Sequence, residues 1–327
     1  MVTRRPTIVV LARHTDDSPP HLEQLQDRSD VVVTDAAGLA DAVTDADALF
    51  LWDFFSSALR EVWPHCSRLR WVHVAAAGVD SLVFPELADS EVVVTNARGT
   101  FDRPIAEYVL GVVLAHAKQT HVGADLQRQH VWRHRETRSV QGATAAVVGT
   151  GAIGRECARL LSAVGMRVRG FGRTPRQSDP DFGSVTPSSE LVHHVADVDY
   201  LVMVAPLTPA TRGLVDAAVL DALPATAHLV NVGRGECVVT ADLVEALRAG
   251  SIDGASLDVV DPEPLPADSP LWDLPGVHLT AHMSGDVSGW LDALAWQFVD
   301  NAERWLAGDE PANVVDTRLG FVPSGTT

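Results

Sequence analysis

Along the first hundred residues the apolar positions fall in short, β-branched runs separated by mixed, more polar stretches. The runs are TIVVLA (Thr7 to Ala12), VVVT (Val31 to Thr34), ALFLW (Ala48 to Trp52), WVHVAA (Trp71 to Ala76) and EVVVTN (Glu91 to Asn96). Continuous rather than alternating apolarity over so few residues fits strands buried on both faces, as in parallel sheets. From Ile105 the pattern changes. IAEYVLGVVLAHAKQTHVGADLQRQ contains no proline and good helix formers throughout, and predicts the longest helix of the chain. Pro104 suits its first turn. A second strand series starts at Ala145 with AAVVGT, RVRGFG, YLVMVA, HLVNVG, ASLDVV and VHLTAH. Helices fit between several of these, most clearly Ala152 to Gly165 and Thr240 to Gly250, the latter with Thr240 as N-cap and Gly250 as C-cap. After His282 the pattern is helical again from Leu291 to Gly308, and the Gly/Ser/Thr-rich tail from Val322 is expected to fray.

Strands alternating with helices, in two series, predict an α/β protein of two doubly wound parallel-sheet domains with a cleft between them. The long helix near Ile105 and the helix after Gly285 would join them. The expected boundaries are 1–101 with 286–327 for a discontinuous first domain, and 102–285 for the second.

Composition narrows the class. With 327 residues and 46% hydrophobic content, the chain can build two cores. A formal charge of −18 with no basic block makes nucleic acid and anionic membrane surfaces poor partners. Cys66, Cys157 and Cys237 are odd in number and widely spaced, which predicts a reducing, cytoplasmic setting and no cysteine metal site. No apolar run reaches transmembrane length, and the N-terminal apolar stretch is short for a signal peptide and reads as a first strand. No metal is expected.

VVGTGAIG places Gly149, Gly151 and Gly154 between a strand and a helix. In that context GxGxxG makes a tight turn, lets a pyrophosphate approach the backbone around Ala152 and Ile153, and packs helix on strand. The helix amino end then favours phosphate charge. An NAD site usually carries an acid about twenty residues on. Here RVRGFG ends at Gly172 and is followed by Arg173, Thr174, Pro175 and Arg176. Loss of the acid and gain of two guanidinium groups favour a ribose 2′-phosphate, hence NADP(H) over a still possible NAD(H). The competing interpretation is two solvated arginines on a loop.

Three later strands end near residues that can do chemistry. Arg234 follows HLVNVG between Gly233 and Gly235, which would give a ligand room to approach, and its guanidinium suits a carboxylate. Glu263 follows ASLDVV within DPEP, and His282 ends VHLTAH. Alone, each has an ordinary explanation: a surface arginine, a turn acid, a structural histidine. Together, a carboxylate beside an imidazole would favour its protonated form and prepare a general acid. AAAGVD (Ala75 to Asp80) is a small-residue turn that is either ordinary or an anion-binding nest. Trp52, Phe54 and Phe55 either line a pocket or pack in the core.

Read in order, AAGVD, TNARGTFDRPIAEYVLG, VVGTGAIG, APLTPATRGLV, NVGRGECV, LDVVDPEPLP, LTAHMSG and GDEPANVVD resemble the D-isomer-specific 2-hydroxyacid dehydrogenase family from about Trp71 to Asp316. The resemblance implies a split, flavodoxin-like substrate-binding domain, a Rossmann-like dinucleotide-binding domain, and a homodimer. It implies that Arg234 binds substrate, that Glu263 is the acid partner, and that His282 is the general acid/base. Asp258 matches the nicotinamide-site aspartate, with Ala205, Pro206 and Val232 also on the cofactor. Ala77, Gly78 and Val79 match the loop whose amides hold the substrate carboxylate. The missing acid resembles the NADP-preferring glyoxylate/hydroxypyruvate reductase branch, and Met283–Ser284–Gly285 vary mildly from the usual pattern. The expected reaction is NADPH-dependent reduction of a small 2-oxo acid to the D-2-hydroxy acid. Two rivals are a nucleotide-sensing binding protein of the same fold and a dehydrogenase for a phosphorylated or bulky 2-hydroxy acid.

Overall fold

A computed structural model describes residues 4–323; the first three residues and the tail from Ser324 lie outside the described residues. The chain divides into two compact units, Met1–Phe101 with Val287–Thr327, and Asp102–Asp286.

In the first unit, β1 (Thr7–Leu11), β2 (Asp30–Thr34), β3 (Ala48–Leu51), β4 (Trp71–Val74) and β5 (Val93–Asn96) form one sheet in the order β2-β1-β3-β4-β5. All four pairings are parallel. Three single-turn helices punctuate the connections: α1 (Leu39–Ala42), α2 (Ala58–Val62) and α3 (Pro85–Ala88). Both faces of the central strands are covered, which is why their apolar runs do not alternate with polar residues. Val9, Leu49, Leu51, Val72 and Val74 enter one core.

In the second unit the order is β13-β12-β11-β10-β6-β7-β9-β8. The strands are β6 (Thr144–Val148), β7 (Arg167–Gly172), β8 (Arg176–Asp179), β9 (Gly183–Pro187), β10 (Tyr200–Met203), β11 (His228–Asn231), β12 (Gly254–Leu257) and β13 (Val277–Leu279). All pair in parallel except β8, which runs antiparallel to β9 at the edge. The chain winds outward from β6 to β7 and then returns to β10 on the other side. That reversal is a topological switch point, where open α/β sheets bind ligands beyond the carboxyl ends of their strands.

The long helix expected from Ile105 is two helices, α4 (Asp102–Ala117) and α5 (Thr120–Arg128). Gln119 interrupts them in the left-handed region (φ 49°), and Arg135 holds the break by donating to the Gln119 carbonyl (2.9 Å) and side chain (3.2 Å). The remaining helices of this unit are α6 (Ala152–Ala163), α7 (Ala217–Ala222) and α8 (Thr240–Ala249). Val239, not Thr240, caps α8; the Thr240 hydroxyl instead donates to the Asp261 carbonyl at 3.1 Å, while Gly250 ends the helix in the left-handed region. The chain re-enters the first unit through α9 (Trp290–Ala307), whose 18 residues make it the longest described helix. Its Phe298 stacks on Phe50 of β3 at 3.9 Å and on Trp71 of β4 at 5.6 Å. No helix among the described residues is long and apolar enough to cross a membrane.

Candidate active site

The glycine turn follows β6 at the switch point. Gly149 has φ 112°, and a Cβ there would lie 2.7 Å from the Ala205 amide nitrogen, so only glycine fits. A Cβ on Gly154 would lie 1.8 Å from the Gly149 carbonyl oxygen, where α6 closes on the turn. Gly151 differs: its φ is ordinary (−78°), and a Cβ there would meet nothing within 4 Å. Internal packing therefore does not demand glycine at 151. Close approach of a ligand to the backbone does, and as the N-cap of α6 this residue has no side chain to occupy the first amides, including those of Ala152 and Ile153. The turn fits a dinucleotide pyrophosphate.

At the end of β7, a Cβ on Gly172 would lie 2.8 Å from Thr150 Oγ1. A side chain at 172 therefore has no room unless Thr150 moves. Arg173 and Thr174 are exposed just beyond. Arg176 is held back: its Nε donates to the buried Asp179 at 2.8 Å. Arg155 of α6 grips the same carboxylate at 2.9 and 3.0 Å, and this pairing, with the Asp181 amide and Arg176, holds Asp179 well below the usual carboxylate range against the opposing effect of burial. Asp179 is not legible in the sequence, because a short polar edge strand carries no apolar signal.

The reactive residues come from three adjacent parallel strands. Arg234 lies three residues beyond β11, Glu263 six beyond β12 and His282 three beyond β13. His282 Nδ1 meets Glu263 Oε2 at 2.9 Å, and Glu263 Oε1 accepts the Val260 amide at 3.1 Å. Burial opposes the charged form of Glu263, but the hydrogen bond and charge of His282, the Val260 amide and the charge of Arg234 outweigh it and hold the carboxyl below its ordinary range. Both side chains are 34% exposed, open enough to meet a small molecule.

Arg234 is half-buried, and Asn231 sets its turn: the buried amide donates to the Arg234 carbonyl (3.0 Å) and accepts from the Gly233 amide (3.1 Å). The flanking glycines serve packing rather than ligand access, contrary to expectation. A Cβ on Gly233 would lie 2.8 Å from the Ala205 carbonyl oxygen, and one on Gly235 2.0 Å from the Val260 carbonyl. Ala205 and Val232 are buried beside this turn, and Pro206 is exposed. Asp258, 2% exposed, accepts from Thr280 Oγ1 (2.6 Å) and from the amides of Met283 and Ser284 (both 2.9 Å). Asp286, also missed from sequence, has its carboxyl pushed up by burial and by the charge of Asp258, with His282 opposing.

In the first unit, Ala77, Gly78 and Val79 follow β4. The buried Val79 anchors the loop in the core, and the buried Asn96 side chain donates to the Ala77 carbonyl at 2.5 Å. Trp52 is buried, Phe54 packs against the core, and Phe55 is exposed. Among the described residues, no group of three or more His, Cys, Asp or Glu is placed to hold a metal ion.

Residues 110–284 match the NAD binding domain of the D-isomer specific 2-hydroxyacid dehydrogenases. The chain belongs to this family of NAD(P)-dependent oxidoreductases. A glyoxylate/hydroxypyruvate reductase A of Serratia proteamaculans is 30% identical over 267 residues, covering 80% of this chain and 84% of that protein. A D-isomer specific 2-hydroxyacid dehydrogenase of Xanthobacter autotrophicus, crystallised with NADPH and MES, superposes with a TM-score of 0.81 at 30% identity over 97% of this chain and 100% of that one. An NADPH-dependent glyoxylate/hydroxypyruvate reductase of Sinorhizobium meliloti, crystallised with NADP and sulfate, gives 0.81 at 28% identity over 97% and 100%.

Proposed function

We propose that this chain reduces a small 2-oxo acid, of glyoxylate or hydroxypyruvate type, to the D-2-hydroxy acid with NADPH. The observation that carries the proposal is the His282–Glu263 pair at 2.9 Å beside Arg234, on three neighbouring strands of the sheet that bears the glycine turn. Gly149, Gly151, Ala152, Ile153 and Gly154 hold the cofactor phosphates; Arg173 and Thr174 meet the ribose phosphate, while Arg176 stays tied to Asp179; Ala205, Pro206, Val232 and Asp258 line the rest. NADPH, when bound, supplies the hydride. Arg234 takes the substrate carboxylate, so orientation is set before chemistry; Ala77, Gly78 and Val79 are the substrate-binding residues of the first unit. His282 has Nδ1 on Glu263, so Nε2 is the atom that delivers a proton to the developing alkoxide, and in oxidation it takes that proton back. NADPH is favoured because no acid stands at position 172 and Arg173 follows it, and relatives of this chain were crystallised with NADP or NADPH.

The chain works as a homodimer in the cytoplasm. Trp132 is fully exposed beside the exposed Val131, an apolar pair suited to burial against a second copy. All three cysteines are buried and unpaired. Side-by-side kinetics with NADPH and NADH over glyoxylate, hydroxypyruvate and phenylpyruvate tests the reaction. Reduction of the smaller acids with NADPH preferred is expected, and no turnover with any combination would sink the proposal.

A further inference from the structure

We propose that Tyr108 of α4 is a positioning residue for His282, acting through a hydroxyl chain to Thr280 and the Asp258 carboxylate. This inference rests on the catalytic role proposed for His282. Tyr108 Oη lies 2.7 Å from Thr280 Oγ1, which lies 2.6 Å from Asp258 Oδ1. Threonine has one hydroxyl proton, and a carboxylate can only accept, so Thr280 donates to Asp258 and Tyr108 donates to Thr280. Burial and the charge of Asp258 push the Tyr108 phenol above its ordinary range against the opposing bond to Thr280, so the phenol keeps the proton it donates.

Asp258 then acts on the turn that carries His282. Its carboxylate accepts the amides of Met283 and Ser284, and its own carbonyl accepts the His282 amide at 2.8 Å. His282 itself sits at φ 52°, a left-handed conformation that costs energy for a residue with a Cβ. Such a conformation persists only where the surroundings over-determine it, and Asp258 supplies that constraint. Because Asp258 is buried and charged, its three accepted bonds are mutually dependent. Removing the Tyr108 donor weakens the polarisation of Thr280 and loosens the grip on the turn, while leaving the glycine turn after β6 untouched.

The test uses the full-length chain in Tyr108→Phe, Thr280→Val, Thr280→Ser and the Phe/Val double variant. The expected result is a loss of about fivefold to tenfold in kcat for each of the first two, the size of one hydrogen bond. Thr280→Ser retains the hydroxyl and should retain the rate. The double variant should lose no more than either single, since all three cut one chain. In parallel, 15N-histidine spectra of the unliganded protein should show the His282 ring signals moving alike in Tyr108→Phe and Thr280→Val. Unmoved ring signals, or rate losses that add, would overturn the inference. If the wild type turned over no 2-oxo acid, the proposed reaction would fall, and the ring signals would still decide the positioning.

Discussion

Two histidine–carboxylate pairs flank the eight-stranded sheet at opposite ends, with the same separation and opposite consequences. At the carboxyl end, His282 Nδ1 meets Glu263 at 2.9 Å; at the amino end, His116 Nε2 meets Asp253 at 2.9 Å. His116 uses its other nitrogen as well, on the Tyr200 hydroxyl at 3.1 Å, and its ring stacks on His228 at 4.1 Å. Burial pushes its pKa down despite the opposing effect of Asp253. With both nitrogens committed to the protein, it has none with which to pass a proton to a substrate. His282 stands on a turn three residues beyond β13, beside Arg234 and on the same edge as the glycine turn. Separation alone therefore does not define a catalytic pair; the end of the sheet at which it stands does.

The sharpest way to break this contrast is to remove each imidazole. His282→Asn should lower kcat by about 10²–10⁴, the usual share of a general acid, with NADPH affinity unchanged in a fluorescence titration. His116→Asn should leave kcat within about threefold and lower the melting temperature. Comparable losses of kcat in the two variants would erase the distinction. The arginines give a smaller version of the same test. Arg234→Ala should reduce kcat/KM by about a hundredfold, because a bidentate carboxylate partner is lost. Arg138→Ala, which removes a cation 3.9 Å from Asp253 at the amino end, should change kcat/KM by less than about twofold.

Legibility in the sequence followed the same divide between local and distant causes. The buried strands were readable because covering both faces leaves continuous apolar runs, as in Ile8–Leu11 and Leu229–Val230. The glycine turn was readable because its geometry is local, with three glycines answering three constraints within six residues. Arg234, Glu263 and His282 were readable as strand endings, and parallel pairing of β11, β12 and β13 brings them to one edge. The break at Gln119 was not, since it is held by Arg135, sixteen residues on. Asp179, Tyr108 and Thr280 were missed for a related reason. Each works through partners that no spacing rule identifies, such as Tyr108 with Thr280, 172 positions away. The polar β8–β9 hairpin offered no apolar run at all.

The smallest expected effect is on stability against pH, and it separates the two ends by window. His228 is held well below its ordinary value by burial first and then by the charges of His116, His278 and His121; burial also lowers His278 and His116. In the unfolded chain these groups bind protons as pH falls below about 6.5, while the folded chain leaves them neutral. The unfolded state then binds more protons, so the stability these groups contribute is complete above about 6.5 and declines as pH falls. Asp253, Arg138, Tyr200 and Asp199 are the other ionisable groups around this cluster. Glu263, also lowered, acts in a different window: its contribution is complete above the ordinary carboxyl range of about 4.3 and is lost only as pH falls through its depressed value. Between pH 6.5 and 5, denaturant titrations should therefore show wild-type stability falling with pH. His228→Asn should remove up to one proton of slope, about 1.4 kcal/mol per pH unit, and Glu263→Gln should leave the slope in that interval unchanged. A slope that disappears in Glu263→Gln and survives in His228→Asn would mean that the buried amino-end histidines do not govern acid stability.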